Sequence, residues 1–189
     1  LDPMLDTIVG ISIYTPGMKP AYIPINHKSY VTGIKIENQL PARLIKEQLD
    51  RMNEHNTKII MFNAPFDIRV IRNQTGAYLR CYWDCYVGAR MLNENEDSNA
   101  LKILHQKYCG DGQGTASKFA DLFSGISFDL VPINSAYLYA AHDAKITFEL
   151  YEFQEPYLNP NAELCVEREL EDVAWVFHNI EMPIVAVVA

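Results

Sequence analysis

The first part of the chain places β-branched and aromatic residues in short runs between turn signals, which is the pattern of strands. Thr7–Tyr14 ends at Pro16-Gly17 and predicts a strand followed by a turn. Ala21–Ile25 predicts a second strand, paired with the first as a hairpin, and Pro24 favours an edge position because it lacks an N–H. Two further short buried strands are predicted at Lys58–Phe62 and Arg80–Trp83.

Elsewhere apolar residues recur every three or four positions, which is the spacing of one helix face. Pro41 suits a first helical turn, and Asn63 and Asp84 each follow a predicted strand, where they can cap the next helix. Further helices are predicted at Tyr86–Leu92, Leu101–Tyr108 and Ser117–Phe123, from Pro132 onward, from Asp143 to Tyr157, and at Leu164–Glu181, with an interruption at Pro183. Early strands, late helices and alternation between them predict an α/β layered domain with a mixed sheet.

Composition sets the size of the fold and qualifies its partners. At 189 residues, 49% hydrophobic and 21% charged, the chain fits one globular domain with a sizeable core. Its net charge of -8 is unusual for a free nucleic-acid binder, whose phosphate contacts come from a basic surface. Two explanations stay open: the acidity is concentrated in a cation site, or the grip on nucleic acid belongs to a neighbouring domain.

The cysteines are too few and too scattered for a disulfide framework in a chain of this length, so a reducing cytoplasm is expected. The spacing Cys81-x3-Cys85, followed by a His-Cys pair of the same spacing, superficially resembles that of zinc ligands. Buried free thiols are the preferred interpretation, because Trp83 between the first two cysteines fits strand core. The residues concerned are Cys81, Cys85, His105 and Cys109; the fourth cysteine is Cys165.

Two acidic stretches far apart in sequence carry the strongest chemical signal. Asn63-x3-Asp67 begins at the end of a predicted strand, where sheet proteins present functional groups. Tyr139-x3-Asp143 places a phenol and a carboxylate one turn apart on one helix face. Each stretch alone also fits an ordinary helix, with a capping Asn and an Asp in the first turn, or with a packed Tyr and a solvated Asp. Together, two such carboxylates form half of a site for two divalent cations, the apparatus that cuts phosphodiester bonds.

The order and context of these stretches resemble the proofreading 3'→5' exonuclease domain of family A DNA polymerases, a ribonuclease H-like fold of the DEDD superfamily. Asn63–Asp67 resembles the second motif of that family and Tyr139–Asp143 the third, with His142 where an acidic residue often stands. Thr7–Ile13, Tyr22–His27 and Tyr82–Asp84 resemble strands of the family, and Asn179–Pro183 resembles the segment that links exonuclease and polymerase domains. The proline in the second motif points to a phage-type polymerase.

The same resemblance assigns the branch of the superfamily. A tyrosine four residues before the last Asp marks one branch, and a histidine five residues before it marks the other. Leu138 occupies the second position and Tyr139 the first, so the tyrosine branch is indicated. His142 is therefore not expected to be catalytic.

The resemblance implies two-metal hydrolysis with Mg²⁺ or Mn²⁺, for which carboxylate oxygens are suitable hard ligands. It implies that Asp67 and Asp143 hold the metals and that Tyr139 orients the attacking water. The residues expected to contact the single-stranded DNA 3' end are Leu1, which would wedge at the terminal base, Asn63 and Phe66. Core packing is an equally good interpretation of Phe66.

The implied organisation is an exonuclease-like domain at 1–160 and a helical connector at 161–189 towards a polymerase domain in the same longer polypeptide. The family's first motif, Asp-x-Glu on a central strand, does not occur in the sequence, so that strand is expected to be missing and the chain to be catalytically inactive. No membrane partner is expected, because the longest apolar run, Ile184–Ala189, is too short to cross a bilayer.

Two alternatives stay open at this point. One is a catalytically degenerate nucleic-acid-binding or scaffold domain of a polymerase. The other is a stand-alone ribonuclease of the DEDD type. In each case the expected location is the cytoplasm, which is that of the host if the protein is phage-encoded.

Overall fold

The computed structural model describes residues 7–110, 123 and 125–189. Over these residues the chain forms two compact units, each assembled from separate stretches of sequence. The described residues within Leu1–His55, Val70–Leu79 and Gly114–Lys145 form the first unit, and those within Asn56–Arg69, Arg80–Gln113 and Ile146–Ala189 form the second. Helices and strands are both present, as the α/β prediction requires.

The helices follow the predicted apolar spacing closely. In chain order they are α1 (Ala42–Glu54), α2 (Ala64–Thr75), α3 (Cys85–Leu92), α4 (Leu101–Tyr108), α5 (Ile133–Leu158), α6 (Glu163–Glu167), α7 (Glu171–Val176) and α8 (Met182–Val188). A 3₁₀ turn lies at Phe128–Leu130 and a π-helical turn at Phe177–Glu181. The helix predicted at Ser117–Phe123 lies, apart from its last residue, outside the described residues. No helix of the described ranges is long and apolar enough to cross a membrane.

The first unit contains the predicted hairpin. β1 (Gly10–Ile13) and β2 (Ala21–Pro24) pair antiparallel, with Gly10 opposite Pro24. Within the described part of the chain this sheet has two strands, so β1 and β2 both lie at an edge. The buried residues of this unit include Ile8, Ile25, His27, Ile45, Leu49, Ile71, Leu79, Val131, Ala136 and Ala141.

The second unit contains a short parallel pair, β3 (Ile60–Met61) and β4 (Trp83–Asp84), with Met61 opposite Asp84. Because the strands are parallel, their carboxyl ends lie at the same edge, and α2 and α3 start there. The core of the unit comprises Trp83, Cys85, Ala89, Leu104, Leu150, Leu158 and Phe177. Burial of each large apolar side chain in such a core stabilises the fold by about 1.5–3 kcal/mol.

The C-terminal part differs from the prediction in two ways. Helix α5 is continuous, with no interruption before Asp143, and it contains Pro156 in its last turn, where the missing N–H removes one intrahelical hydrogen bond. The single helix predicted at Leu164–Glu181 is divided, because Glu169 takes a left-handed φ of 56° after α6. Pro183 does not end the helical structure, since it lies in the first turn of α8, where a missing N–H costs little.

Candidate active site

Asp67 lies in the first turn of α2, directly after β3. The junction between strand and helix is made by Asn63, whose φ of 59° is left-handed. Asn tolerates this conformation better than most residues with a side chain. Phe66 is half-buried and Asp67 and Asn63 are exposed, so the predicted residues of this stretch remain reachable from solvent.

The start of α2 is held by a carboxylate that comes from the neighbouring strand. Asp84 is fully buried and ends β4. Its Oδ1 accepts the N–H of Asn63 at 2.9 Å, and its Oδ2 accepts the N–H of Ala64 at 2.8 Å. The same Oδ1 accepts the N–H of Tyr86 at 2.9 Å, which confirms the predicted cap of α3. One side chain therefore caps one helix and fixes the start of another.

The electrostatics of this region favour a positive ligand. Desolvation, and to a smaller extent the nearby Asp84 carboxylate, raise the pKa of Asp67 to about 6 even though the residue is exposed overall. Burial also raises the pKa of Asp84, against hydrogen bonds from Ala64, Asn63 and Tyr86 that lower it. A positive charge bound near Asp67 would lower this raised pKa.

Tyr139 and Asp143 lie one turn apart on α5, in the first unit. Both are half-buried, and Oδ1 of Asp143 is buried. His142, between them in sequence, is exposed. The ring of Tyr139 packs at 6.3 Å from that of Phe128, which belongs to the 3₁₀ turn before α5.

A buried histidine connects this 3₁₀ turn to the hairpin. Nδ1 of His27 lies 3.1 Å from the carbonyl oxygen of Val131, and Nε2 lies 2.7 Å from the hydroxyl of Tyr22. Because a carbonyl can only accept, Nδ1 carries the proton and Nε2 accepts from Tyr22. Burial lowers the pKa of His27, which favours this neutral form. Phe128 packs against the rings of both residues, at 6.5 Å from Tyr22 and 6.0 Å from His27.

The other predicted features resolve as follows. Leu1 lies outside the described residues. Among the described residues no group of three or more His, Cys, Asp or Glu side chains is placed to hold a metal ion. All four cysteines are free; Cys85 and Cys165 are buried as expected, whereas Cys81 is half-buried and Cys109 is exposed.

Sequence reasoning missed the second role of Asp84 and the role of His27. Asp84 was predicted to cap α3, but its bonds to Asn63 and Ala64 depend on a parallel strand pairing that the sequence does not specify. A signal for His27 was available, because the pattern Tyr22-x4-His27 at the end of a strand places two polar rings on one short segment.

Comparison with known proteins identifies the class. The family model for the 3'-5' exonuclease of family A DNA polymerases matches residues 5–159. This range includes both acidic stretches and most of the chain. The chain therefore belongs to the 3'-5' exonuclease family.

Among curated proteins, the chain is similar to bacterial and phage DNA polymerases. It is 26% identical over 184 residues to DNA polymerase I of Borreliella burgdorferi, covering 97% of this chain and 18% of the relative. It is 26% identical over 164 residues to DNA polymerase I of Treponema pallidum, covering 84% and 15%. It is 25% identical over 160 residues to the DNA polymerase of Escherichia phage T5, covering 76% and 19%. The chain thus spans less than a fifth of the length of each of these relatives.

Proposed function

We propose that this chain is the proofreading 3'→5' exonuclease domain of a DNA polymerase, with a ribonuclease H-like fold and a 3' end of single-stranded DNA as substrate. The observation that carries the proposal is the family match over residues 5–159, within which Asn63–Asp67 and Tyr139–Asp143 stand in the expected order. Residues 1–160 form the nuclease domain in this proposal, and 161–189 lead towards a polymerase domain of the same longer polypeptide.

Asp67 and Asp143 are the proposed metal ligands. Their oxygens suit Mg²⁺ or Mn²⁺, and a cation beside Asp67 would relieve the desolvation and the repulsion from Asp84 that raise its pKa to about 6. When bound, such metals supply a water of lowered pKa and neutralise charge at the leaving 3' oxygen. Because a proton competes with the metal for Asp67, binding should weaken as the pH falls through 6.

The remaining side chains bind and orient. The Tyr139 hydroxyl is proposed to hold the attacking water in line with the terminal phosphodiester, and the contact with Phe128 limits how far the ring can move. Asn63, directly before α2, and Phe66, in the first turn of α2, are proposed to contact the single strand. Leu1 is proposed as the wedge at the terminal base.

The direct test is cleavage of a 5'-labelled single-stranded DNA with Mg²⁺ by the longest natural polypeptide that carries this chain. Asp143→Ala should reduce cleavage below detection because a metal ligand is lost. The matched control is His142→Ala, which removes the exposed neighbour and should keep full rate. Equal rates for the two variants would refute the assignment of Asp143. Cleavage by the 189-residue chain itself tests the expectation that it is inactive.

Tyr139→Phe isolates the role of the hydroxyl. Loss of water orientation should lower kcat by up to about 100-fold while the KM for DNA changes little. Tyr137→Phe, on another face of α5, is the control and should leave both constants unchanged. Tight DNA binding without cleavage by any form would favour a degenerate domain, and faster cleavage of an RNA strand than of its DNA counterpart would favour a ribonuclease.

A further inference from the structure

The turn between β3 and α2 is the most constrained backbone near a proposed metal ligand. Asn63 has a φ of 59°, in a region that residues with a Cβ seldom adopt. Such a conformation persists only where neighbouring contacts enforce it. The N–H groups of Asn63 and Ala64 both point to the carboxylate of Asp84, at 2.9 and 2.8 Å.

The Asp84 carboxylate is suited to hold this turn. It is fully buried, and burial of a carboxylate is costly unless its oxygens accept hydrogen bonds. Bonds from backbone N–H groups to a carboxylate are stronger than those between neutral groups. The third bond, from Tyr86, fixes the same side chain to the start of α3. The Asp84 carboxylate is therefore bonded to the start of α3 and at the same time holds the start of α2.

The C-terminal helix α8 contacts both Asp84 and α2. Sδ of Met182, the first residue of α8, accepts the backbone N–H of Asp84 at 3.4 Å. At the other end of α8, the carbonyl of Val188 accepts a hydrogen bond from the guanidinium of Arg69, two residues after Asp67. Both contacts lie within the second unit, as do Asp84 and Asp67.

We propose that Asp84 is a positioning residue for Asp67: by fixing the Asn63–Ala64 turn it sets the direction in which the first turn of α2 presents that carboxylate. The inference rests on the proposed function, because it takes Asp67 as a metal ligand. A displacement of about 1 Å at such a ligand is enough to slow catalysis by about 100-fold. Asp84 itself is buried and does not touch substrate.

The test compares Asp84→Asn with Glu96→Gln. The first change keeps one oxygen but places an amide against the N–H that Oδ2 now accepts. The second makes the same acid-to-amide change in the same unit, at a carboxylate bonded to Asn93 and Lys107. Amide hydrogen exchange at Asn63 and Ala64 should be about 10-fold faster in Asp84→Asn than in Glu96→Gln, with exchange in α1 unchanged in both variants. Equal exchange in both variants would overturn the proposal.

Two further readouts separate positioning from general structural damage. In the longest natural polypeptide that carries this chain, Asp84→Asn should weaken Mn²⁺ binding, measured by electron paramagnetic resonance, and should lower kcat with the KM for single-stranded DNA retained. Mn²⁺ affinity and kcat equal to those of Glu96→Gln would overturn the proposal even if exchange were faster. If the unsubstituted protein neither binds Mn²⁺ through Asp67 nor cleaves DNA, the proposed function fails, and the exchange result alone decides whether Asp84 holds the turn.

The Asn63 position also offers a second background in which the test can be repeated. If Asp84→Asn does not fold, the double variant Asn63→Gly/Asp84→Asn is compared with Asn63→Gly alone. This background is chosen because glycine adopts a φ near 59° without steric cost. Faster exchange at Ala64 in that background than in Asn63→Gly alone supports the proposal. Unchanged exchange contradicts it.

Discussion

The Asn63–Ala64 turn, which precedes Asp67, and the helix that carries Tyr139 are held in place by different kinds of interaction. The first is held by a buried, ionisable carboxylate that accepts three backbone hydrogen bonds, two of them from the turn itself. The second rests on an aromatic side chain, Phe128, which is packed in turn on a neutral histidine and its tyrosine partner. Polar support fixes direction with few atoms but depends on protonation, whereas packed rings tolerate a change of charge and resist a change of volume.

Substituting two glycines, one in each unit, by alanine tests how rigid the packing around them is. A Cβ added at Gly88 would lie 2.5 Å from Oε1 of Gln154, which is buried and bonded to Nε1 of Trp83 at 3.0 Å. Gly88→Ala should therefore destabilise the protein by about 1–3 kcal/mol in urea unfolding, although alanine favours helix. A neutral or stabilising effect would show that Gln154 can move and that this core is not tightly packed.

The matched change in the first unit tests the packed rings. A Cβ at Gly10 would lie 2.2 Å from the hydroxyl oxygen and 2.3 Å from Cζ of Tyr22, so the ring itself would have to move. Gly10→Ala should displace this ring from Phe128 and break its hydrogen bond to the buried His27, at a cost of about 1–3 kcal/mol in urea unfolding. A neutral effect would show that the Tyr22 ring can move without loss of stability.

The metal-free protein should respond to pH with opposite signs in the two units. Burial lowers the pKa of His27, so its contribution is present above the unfolded pKa of 6.5 and declines as the pH falls below it. The pKa of Asp67 is raised to about 6 from 3.8, so its contribution is present below 3.8 and is lost as the pH rises through 6. Between pH 7 and 5, protection should fall around His27 and rise around Asp67.

Hydrogen exchange corrected for intrinsic rates measures both responses in one sample. The controls remove one titration each: His27→Gln should flatten the response of the first unit, and Asp67→Asn that of the second. A parallel decline in both units, unaffected by either substitution, would mean that other groups dominate the pH dependence.

Local signals predicted much of this fold, and long-range pairings account for most of what they missed. The hairpin followed from two β-branched runs around a Pro-Gly turn, and the cap of α3 followed from an Asp before a helix. The grip of Asp84 on Asn63 spans 21 positions and exists only because β3 and β4 are parallel neighbours. The spacing of residues along the sequence does not predict a contact of this kind.

The division of the C-terminal helices was not predicted, for a related reason. The left-handed φ of Glu169 has no glycine to mark it, and the π-helical turn at Phe177–Glu181 lies before Pro183, where the sequence predicts an interruption but not its form. They are instead accommodated by packing, since Phe177 is buried against Trp83 at 4.6 Å. The candidate ligands Asp67 and Asp143 were found from a resemblance between motifs, and their shared role in one site stays a prediction.

The most direct test of that shared role is Mn²⁺ binding to the longest natural polypeptide carrying this chain, measured for Asp67→Asn, Asp143→Asn and the double variant. If both carboxylates serve one metal site, either single change should weaken binding by about 10-fold or more, and the double variant should lose little further affinity. Independent effects that add in free energy, or binding that neither change affects, would contradict a common site.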